Sequence, residues 1–216
     1  MGLNLGSNSV DNMKLGGDQV DKIYLGSDLV WEHSVTPVFS EVTIGTQTWM
    51  AVNLDVDDGG GGIYAYDDDE GNVATYGRLY TWEAAVRVTD TIDGWHLPSD
   101  VEWKTLEMYL GMSQTDVDNT GYRGTNEGSK LAGTGLWPDN LLTQDFEFGS
   151  SGFNSLPSGY RHQDQNYYGV GLSGGYLTGA GFETSAITRL VSKSNKAINR
   201  STALRKTSEY PERLIK

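Results

Sequence analysis

Residues 1–31 repeat leucine and valine at a fixed interval. Leu5-Gly6-Ser7 runs to Val10, Leu15-Gly16-Gly17 to Val20, and Leu25-Gly26-Ser27 to Val30, a period of ten. Short apolar stretches (Met13-Lys14-Leu15, Ile23-Tyr24-Leu25) lead into Gly with Ser, Asn or Asp, residue types that tolerate the positive φ of tight turns. The pattern predicts a meander of very short strands, too small to bury both of its faces and in need of a surface to stack on. Residues 1–35 are therefore expected to be an attachment or oligomerisation segment, with the junction around Pro37 and a second domain over 40–216.

The pattern changes at Glu41. Val42 to Met50 alternates β-branched and polar residues around Gly45 and predicts a hairpin. Asp57 to Gly62 reads as a loop. Tyr76 to Val88 predicts a helix, with Leu79, Trp82, Ala85 and Val86 on one face. A second helix follows Pro98: Ser99 and Glu102 have capping-box spacing, Trp103, Leu106 and Leu110 form the apolar stripe, and Gly111 is the stop. From residue 112 onward Gly, Ser, Asn and Asp dominate and the helical period disappears, so loops and short strands are expected there.

Composition narrows the function classes. The 216 residues include no cysteine, which excludes a disulfide scaffold, a thiolate zinc site and a cysteine nucleophile. No apolar run approaches the roughly 20 residues needed to span a bilayer. The first residues lack the basic and apolar regions of a signal peptide, so a soluble chain without membrane insertion is expected. The net charge of −13 hides two unlike parts: residues 1–182 carry 8 bases and 26 acids, whereas 183–216 carry 8 bases and 3 acids. An acidic body disfavours nucleic-acid binding, and the basic tail reads as either a ligand-facing patch or a solvated strand edge.

Several chemical motifs fail on their spacing. Gly124 to Lys130 has the flavour of a phosphate loop but ends Gly-Ser-Lys rather than Gly-Lys-Ser/Thr. Asp67-Asp68-Asp69-Glu70-Gly71-Asn72 misses the register of a calcium loop and reads as an acidic surface turn. His33, His96 and His162 lie in separate segments without metal-ligand spacing, and His96 between Trp95 and Leu97 reads as a core histidine. No nucleophile elbow occurs. The expectation is a protein that is not an enzyme and holds neither cofactor nor metal.

Three segments carry a likeness: Thr43 to Leu54 (TIGTQTWMAVNL), Tyr76 to Ala85 (YGRLYTWEAA) and Asp93 to Trp103 (DGWHLPSDVEW). With Thr120 to Leu131 and Gly152 to Arg161 they resemble, in order, the Fibrobacter succinogenes major paralogous domain over roughly residues 40–216. That resemblance implies an α+β, C-type lectin-like fold, in which two helices flank a small twisted antiparallel sheet and the ligand surface lies on late strands and loops. The fold is shared with formylglycine-generating enzymes, whose chemistry needs cysteines absent here, and with variable proteins of diversity-generating retroelements.

Against the usual pattern of the family, the posts Gly175-Tyr176, Ala186 to Arg189, Ile198-Asn199-Arg200, Lys206 and Arg213 to Lys216 are kept, and the residues between them depart. The resemblance then implies a variable region over about 176–212. Its expected ligand-contacting residues are Tyr176, Leu177, Phe182, Glu183, Ile187, Thr188, Leu190, Ser192, Lys193, Ser201, Thr202, Leu204, Arg205 and Glu209. The expected partner is a protein or glycan receptor on a cell surface. The Leu-Gly-Ser repeats resemble amino-terminal segments of structural proteins in phages of Bacteroidetes. They would make residues 1–31 a virion-attachment or homo-oligomerisation module and the whole chain a phage-tail or surface adhesin. The alternative is an undiversified glycan-binding or cell-envelope structural protein.

Overall fold

A computed structural model describes residues 39–216, save 134 and 182, and four short strands before them; side chains are described from residue 39 onward, except those of 204 and 205. The chain divides into Met1–Val38 and Phe39–Lys216. In the first unit the strands are β1 (Lys14–Leu15), β2 (Asp18–Gln19), β3 (Lys22–Leu25) and β4 (Asp28–Glu32). β1 pairs antiparallel with β2 and β3 with β4, one hairpin from each of the last two copies of the ten-residue repeat. The first copy lies outside the described residues.

The second unit opens with a hairpin of β5 (Glu41–Ile44) and β6 (Gln47–Met50) about Gly45, whose φ of 63° suits the turn. The helix expected over Tyr76 to Val88 is shorter. Its first residues belong to α1 (Val73–Tyr76) and to β8 (Leu79–Tyr80), which pairs with β7 (Ile63–Tyr64), and α2 (Trp82–Thr89) begins only where Thr81 Oγ1 accepts from Ala84 N. Gly77, at φ 73°, separates the pieces. The second expected helix forms as α3 (Asp100–Tyr109), with both arms of the Ser99/Glu102 capping box made.

The remainder is α4 (Gln114–Asp118), β9 (Gly121–Arg123), α5 (Glu127–Leu131), β10 (Ser158–Arg161), β11 (Tyr167–Val170), β12 (Ser173–Gly181), β13 (Ser185–Ser192) and β14 (Asn195–Arg205). These six strands form one sheet in the order β11-β10-β12-β13-β14-β9. β10 runs parallel to β12, and the other neighbours are antiparallel.

This overturns the C-type lectin-like α+β arrangement. The described body is mostly sheet: a six-stranded mixed sheet with short helices, α3 being the longest at ten residues, and it does not fit two helices flanking a small antiparallel sheet. The physical reason lies in residues 158–205. Rich in Gly, Ser, Thr, Tyr and β-branched residues, they commit to long strands rather than the short ones expected, and β12 and β13 are buried on both faces along most of their length. The sheet is thus itself the centre of the fold.

On one face α3 packs over it through a cluster of fully buried aromatic rings. Trp49 and Trp103 have centroids 5.1 Å apart, and Phe153 and Tyr176 complete the group at 5.5–5.8 Å from Trp103. Such tilted and edge-on contacts add to the area that each ring removes from water.

Candidate functional site

The period of two along a strand sorts the late residues into two sets. Tyr176 pairs with Arg189 and Arg189 with Arg200, so these three share the face under α3. Leu177 pairs with Thr188, Thr188 with Ser201, Leu190 with Asn199 and Asn199 with Tyr122, and this second set shares the opposite face.

The α3 face carries a buried ionic network. Glu107, with no exposed surface, accepts from Arg189 Nε at 2.6 Å and from Arg123 Nη2 at 2.6 Å. Asp100 accepts from Arg189 Nη2 (2.9 Å) and from both Nε and Nη2 of Arg200 (2.9 and 2.8 Å). Burial pushes the Asp100 carboxyl up, but the two arginines outweigh it and hold it well below the usual range. Farther along, Arg213 is fully enclosed: Nε donates to Asn53 Oδ1 (2.7 Å), and the Nη atoms donate to the carbonyls of Met50, Phe153 and Asn154.

These contacts account for the basic tail. Arg189, Arg200 and Arg213 are internal; Lys196 pairs with Asp145 at 3.1 Å and Lys216 with Glu41 at 2.6 Å; Lys206 Nζ sits 3.6 Å over the ring of Trp82. Lys193 has no ion pair among the described residues, and the side chain of Arg205 lies outside them. Among the described residues, Arg189, Lys196, Arg200 and Lys216 are thus paired with acids of the body, and Arg213 is enclosed against Asn53 and backbone carbonyls.

The expected ligand-contacting residues separate accordingly. Tyr176 and Leu177 have no accessible surface, the first donating to Ser155 Oγ (3.0 Å), the second packed with Ala186 and Tyr210. Ile187, Thr188 and Ser192 are also buried, and Glu209 is enclosed against Arg161 at 3.0 Å. These six face the interior. Glu183, Leu190, Lys193, Ser201 and Thr202 keep accessible surface. Phe182 lies outside the described residues, as do the side chains of Leu204 and Arg205.

On the face away from α3, Leu177 and Thr188 are covered, while the end formed by β13, β14 and β9 is open. Its accessible row is Leu190, Asn199 and Tyr122, with Ser201 beside it; Tyr122 is 44 % exposed. A depression of about 300 Å³ adjoins the row, lined by Thr120, Gly121, Asn199 and residues 200–203. Asn199, one of the retained posts, and Tyr122, within the Thr120 to Leu131 stretch, are not among the expected ligand-contacting residues. The alternation of Ile198 and Arg200 inward with Asn199 and Ser201 outward was the available signal.

Other motifs resolve without chemistry. His96 is not a core histidine: its ring is half exposed, its Nε2 lies 2.8 Å from Glu102, and only its backbone joins the core by pairing with Ile215. In the Gly124 to Lys130 loop the Glu127 carboxylate accepts from Thr125 N at 2.7 Å, occupying the space a phosphate would need. The acidic turn at residues 67–70 is exposed; Asp68 accepts from Tyr167 and Glu70 pairs with Arg78.

A family model described as the Fibrobacter succinogenes major domain matches residues 42–216. No curated protein and no solved structure matches the chain.

Proposed function

The chain belongs to the Fibrobacter succinogenes major domain family, and we propose that it is a non-enzymatic binding protein that meets a macromolecular receptor through the open end of the β9, β13 and β14 face. The observation that carries the reading is the alternation on those strands. Inward positions (Arg189, Arg200 and Ile198) are fixed by buried ion pairs or core packing, whereas outward positions (Leu190, Asn199, Ser201 and Tyr122) keep accessible surface, and Asn199 and Ser201 also line a shallow depression. A rigid strand scaffold holding replaceable side chains in fixed positions suits recognition of a broad surface.

The same division suits diversification. A reverse-transcribing system could rewrite outward positions without unfolding the protein, provided the inward arginines are spared. The reading places the chain on a phage tail or a cell surface, with residues 1–31 serving attachment.

Sequencing copies of this gene tests it. Substitutions should concentrate at 190, 193, 199, 201 and 202 and avoid 189, 200 and 213, with a reverse transcriptase and a template copy of the 3′ end nearby. Copies that vary equally at 189 and 190, or that show no variation and no such neighbour, would overturn diversification. Loss of cell binding by Leu190→Asp with Ser201→Arg, at unchanged melting temperature, checks the surface itself.

A further inference from the structure

β14 is much longer than the strand beside it. It runs from Asn195 to Arg205, whereas β9 pairs only with Ile198, Asn199 and Arg200. On its other side β13 stays paired to the end, as far as Ser185 with Arg205. Residues 201–205 therefore join the sheet through one edge, and among the described residues no strand covers the other. Alternate residues of a strand direct N–H and C=O to the same side, so this stretch of about 17 Å carries backbone donors and acceptors without a ladder partner. Water reaches them: Ser201 and Thr202 are half-buried and Ala203 is exposed. The depression of about 300 Å³ lies against the same residues, with Thr120 and Gly121, where β9 begins, on its rim.

Free strand edges are normally protected, and this one has two local devices. β14 holds one extra residue between Ser201, which pairs with Thr188, and Leu204, which pairs with Ala186. Ala203 N is held by Ser201 Oγ in a long hydrogen bond of 3.3 Å. Such a bulge bends and twists an edge away from flat pairing with the same edge of another copy. An edge of this length also falls far short of the roughly 20–30 residues a side of a stable interface between folded proteins. A separate short segment escapes both limits, since it can follow the twist and displace the Ser201 hydroxyl from Ala203 N.

Charge favours a peptide backbone as well. Arg200 is the one ionisable residue lining the depression, and its Nε and Nη2 are both on Asp100. Of the charges nearby, Asp118 is paired with Lys104 and Lys206 lies over Trp82. Neutral amides and carbonyls match what this edge offers.

We propose that the open edge of β14 at residues 201–205 takes an extended polypeptide segment of the receptor as an added strand, in line with β9. Main-chain bonds supply the hold, and Leu190, Asn199, Ser201 and Tyr122 beside them read the segment's side chains. Outward residues can then change without loss of the common handle. The inference rests on the reading of this end as the receptor surface and deepens it: the receptor is a protein with an exposed extended segment.

The test selects binders to the full chain from a library of linear peptides of about seven residues, the length of a strand. Retained peptides should bind with dissociation constants on the order of 10–100 μM. N-methylation of a retained peptide, one residue at a time, should weaken binding at least about tenfold at alternate positions and little at those between, because only alternate amides face β14. Amide hydrogen exchange should slow at residues 201–205 on binding and not at β11, the opposite edge of the sheet. Thr120→Trp, at an exposed position on the rim, should weaken binding at least about tenfold; should it lower the melting temperature, the N-methyl scan, made on the peptide alone, decides. The proposal is overturned if no peptide binds more tightly than about 1 mM, if the N-methyl scan lacks a period of two, if protection falls on β11, or if a stable Thr120→Trp binds as well as the parent. Loss of cell binding by Leu190→Asp with Ser201→Arg, with no peptide retained, leaves the receptor surface standing and removes the added strand. Peptides that meet the criteria while that variant still binds cells keep the added strand and remove the receptor reading.

Discussion

Glu107 joins two arginines from different strands in a place water does not reach, and that makes it a point of fragility. Its replacement by glutamine keeps the volume and removes the charge, leaving Arg189 and Arg123 enclosed with one anion fewer. Breaking a buried pair in this way costs about 3–5 kcal/mol, and urea unfolding of Glu107→Gln should show a loss of that order; a loss below about 1 kcal/mol would mean that water or Asp100 takes over the role. Glu212 is the converse case. It is fully buried, its Oε2 has no partner among the described residues, and desolvation raises its pKa well above the ordinary value, opposed only by the distant amide of Leu177. Arg213 beside it in sequence spends its hydrogen bonds on Asn53 and backbone carbonyls. A carboxyl whose folded pKa is raised binds its proton more tightly when folded. Its contribution is therefore harmless below the unfolded pKa of about 4.3 and destabilising as pH rises from there toward the folded value. Glu212→Gln should accordingly raise the melting temperature at pH 7 while leaving it nearly unchanged at pH 4; calorimetry at both pH values decides, and an equal change at the two would remove the ionisation argument. None of these partnerships was legible in the sequence. Arg189 and Glu107 are 82 positions apart, and a single sequence records that charges exist, not which ones meet.

At the scale of elements, legibility followed the range of the interactions. The capping box of α3 and the turn of the β5–β6 hairpin are local, and both formed where the residues said they would. The stretch from Tyr76 to Tyr80 failed because its apolar spacing suits a helix and a strand alike, and the decision is made elsewhere: β7 claims Leu79 and Tyr80, and Gly77 turns the chain against Asn53 and Leu54. A Cβ on Gly77 would lie 2.6 Å from the Asn53 Cβ and 2.8 Å from the Leu54 carbonyl oxygen, at a φ that side chains rarely adopt. Gly77→Ala should therefore cost more than about 1 kcal/mol, measured by thermal unfolding. A neutral result would show that the loop yields. The late strands were misjudged for length because Gly174, Gly175, Gly179 and Gly181 read as turn residues, whereas each sits where another group packs closely: Leu156 O against the first, the Tyr210 ring against the second.

For the whole molecule, the charge contrast between the body and the tail was real, and half of it points inward. Four of the eight cations over residues 183–216 pair with acids on α3, on the segment after α5 and on β5, which one sequence does not show. The family was legible because its motifs are contiguous stretches; the sheet order was not, because it depends on pairings between strands far apart in sequence, such as β9 with β14.

The closure of the body at β6 also sets a clock. Trp49 pairs with Ile215, Met50 N donates to Leu214 O, and Arg213 seals Asn53 from 160 positions away. At synthesis rates of about 5–20 residues per second the β5–β6 hairpin waits roughly 10–30 s for these partners. Through that interval Trp49, later fully enclosed, lacks the strand that covers it. Contacts of such sequence separation also close slowly once the chain is complete. The interval before residues 213–216 appear is therefore when Trp49 is most open to association with other unfinished chains.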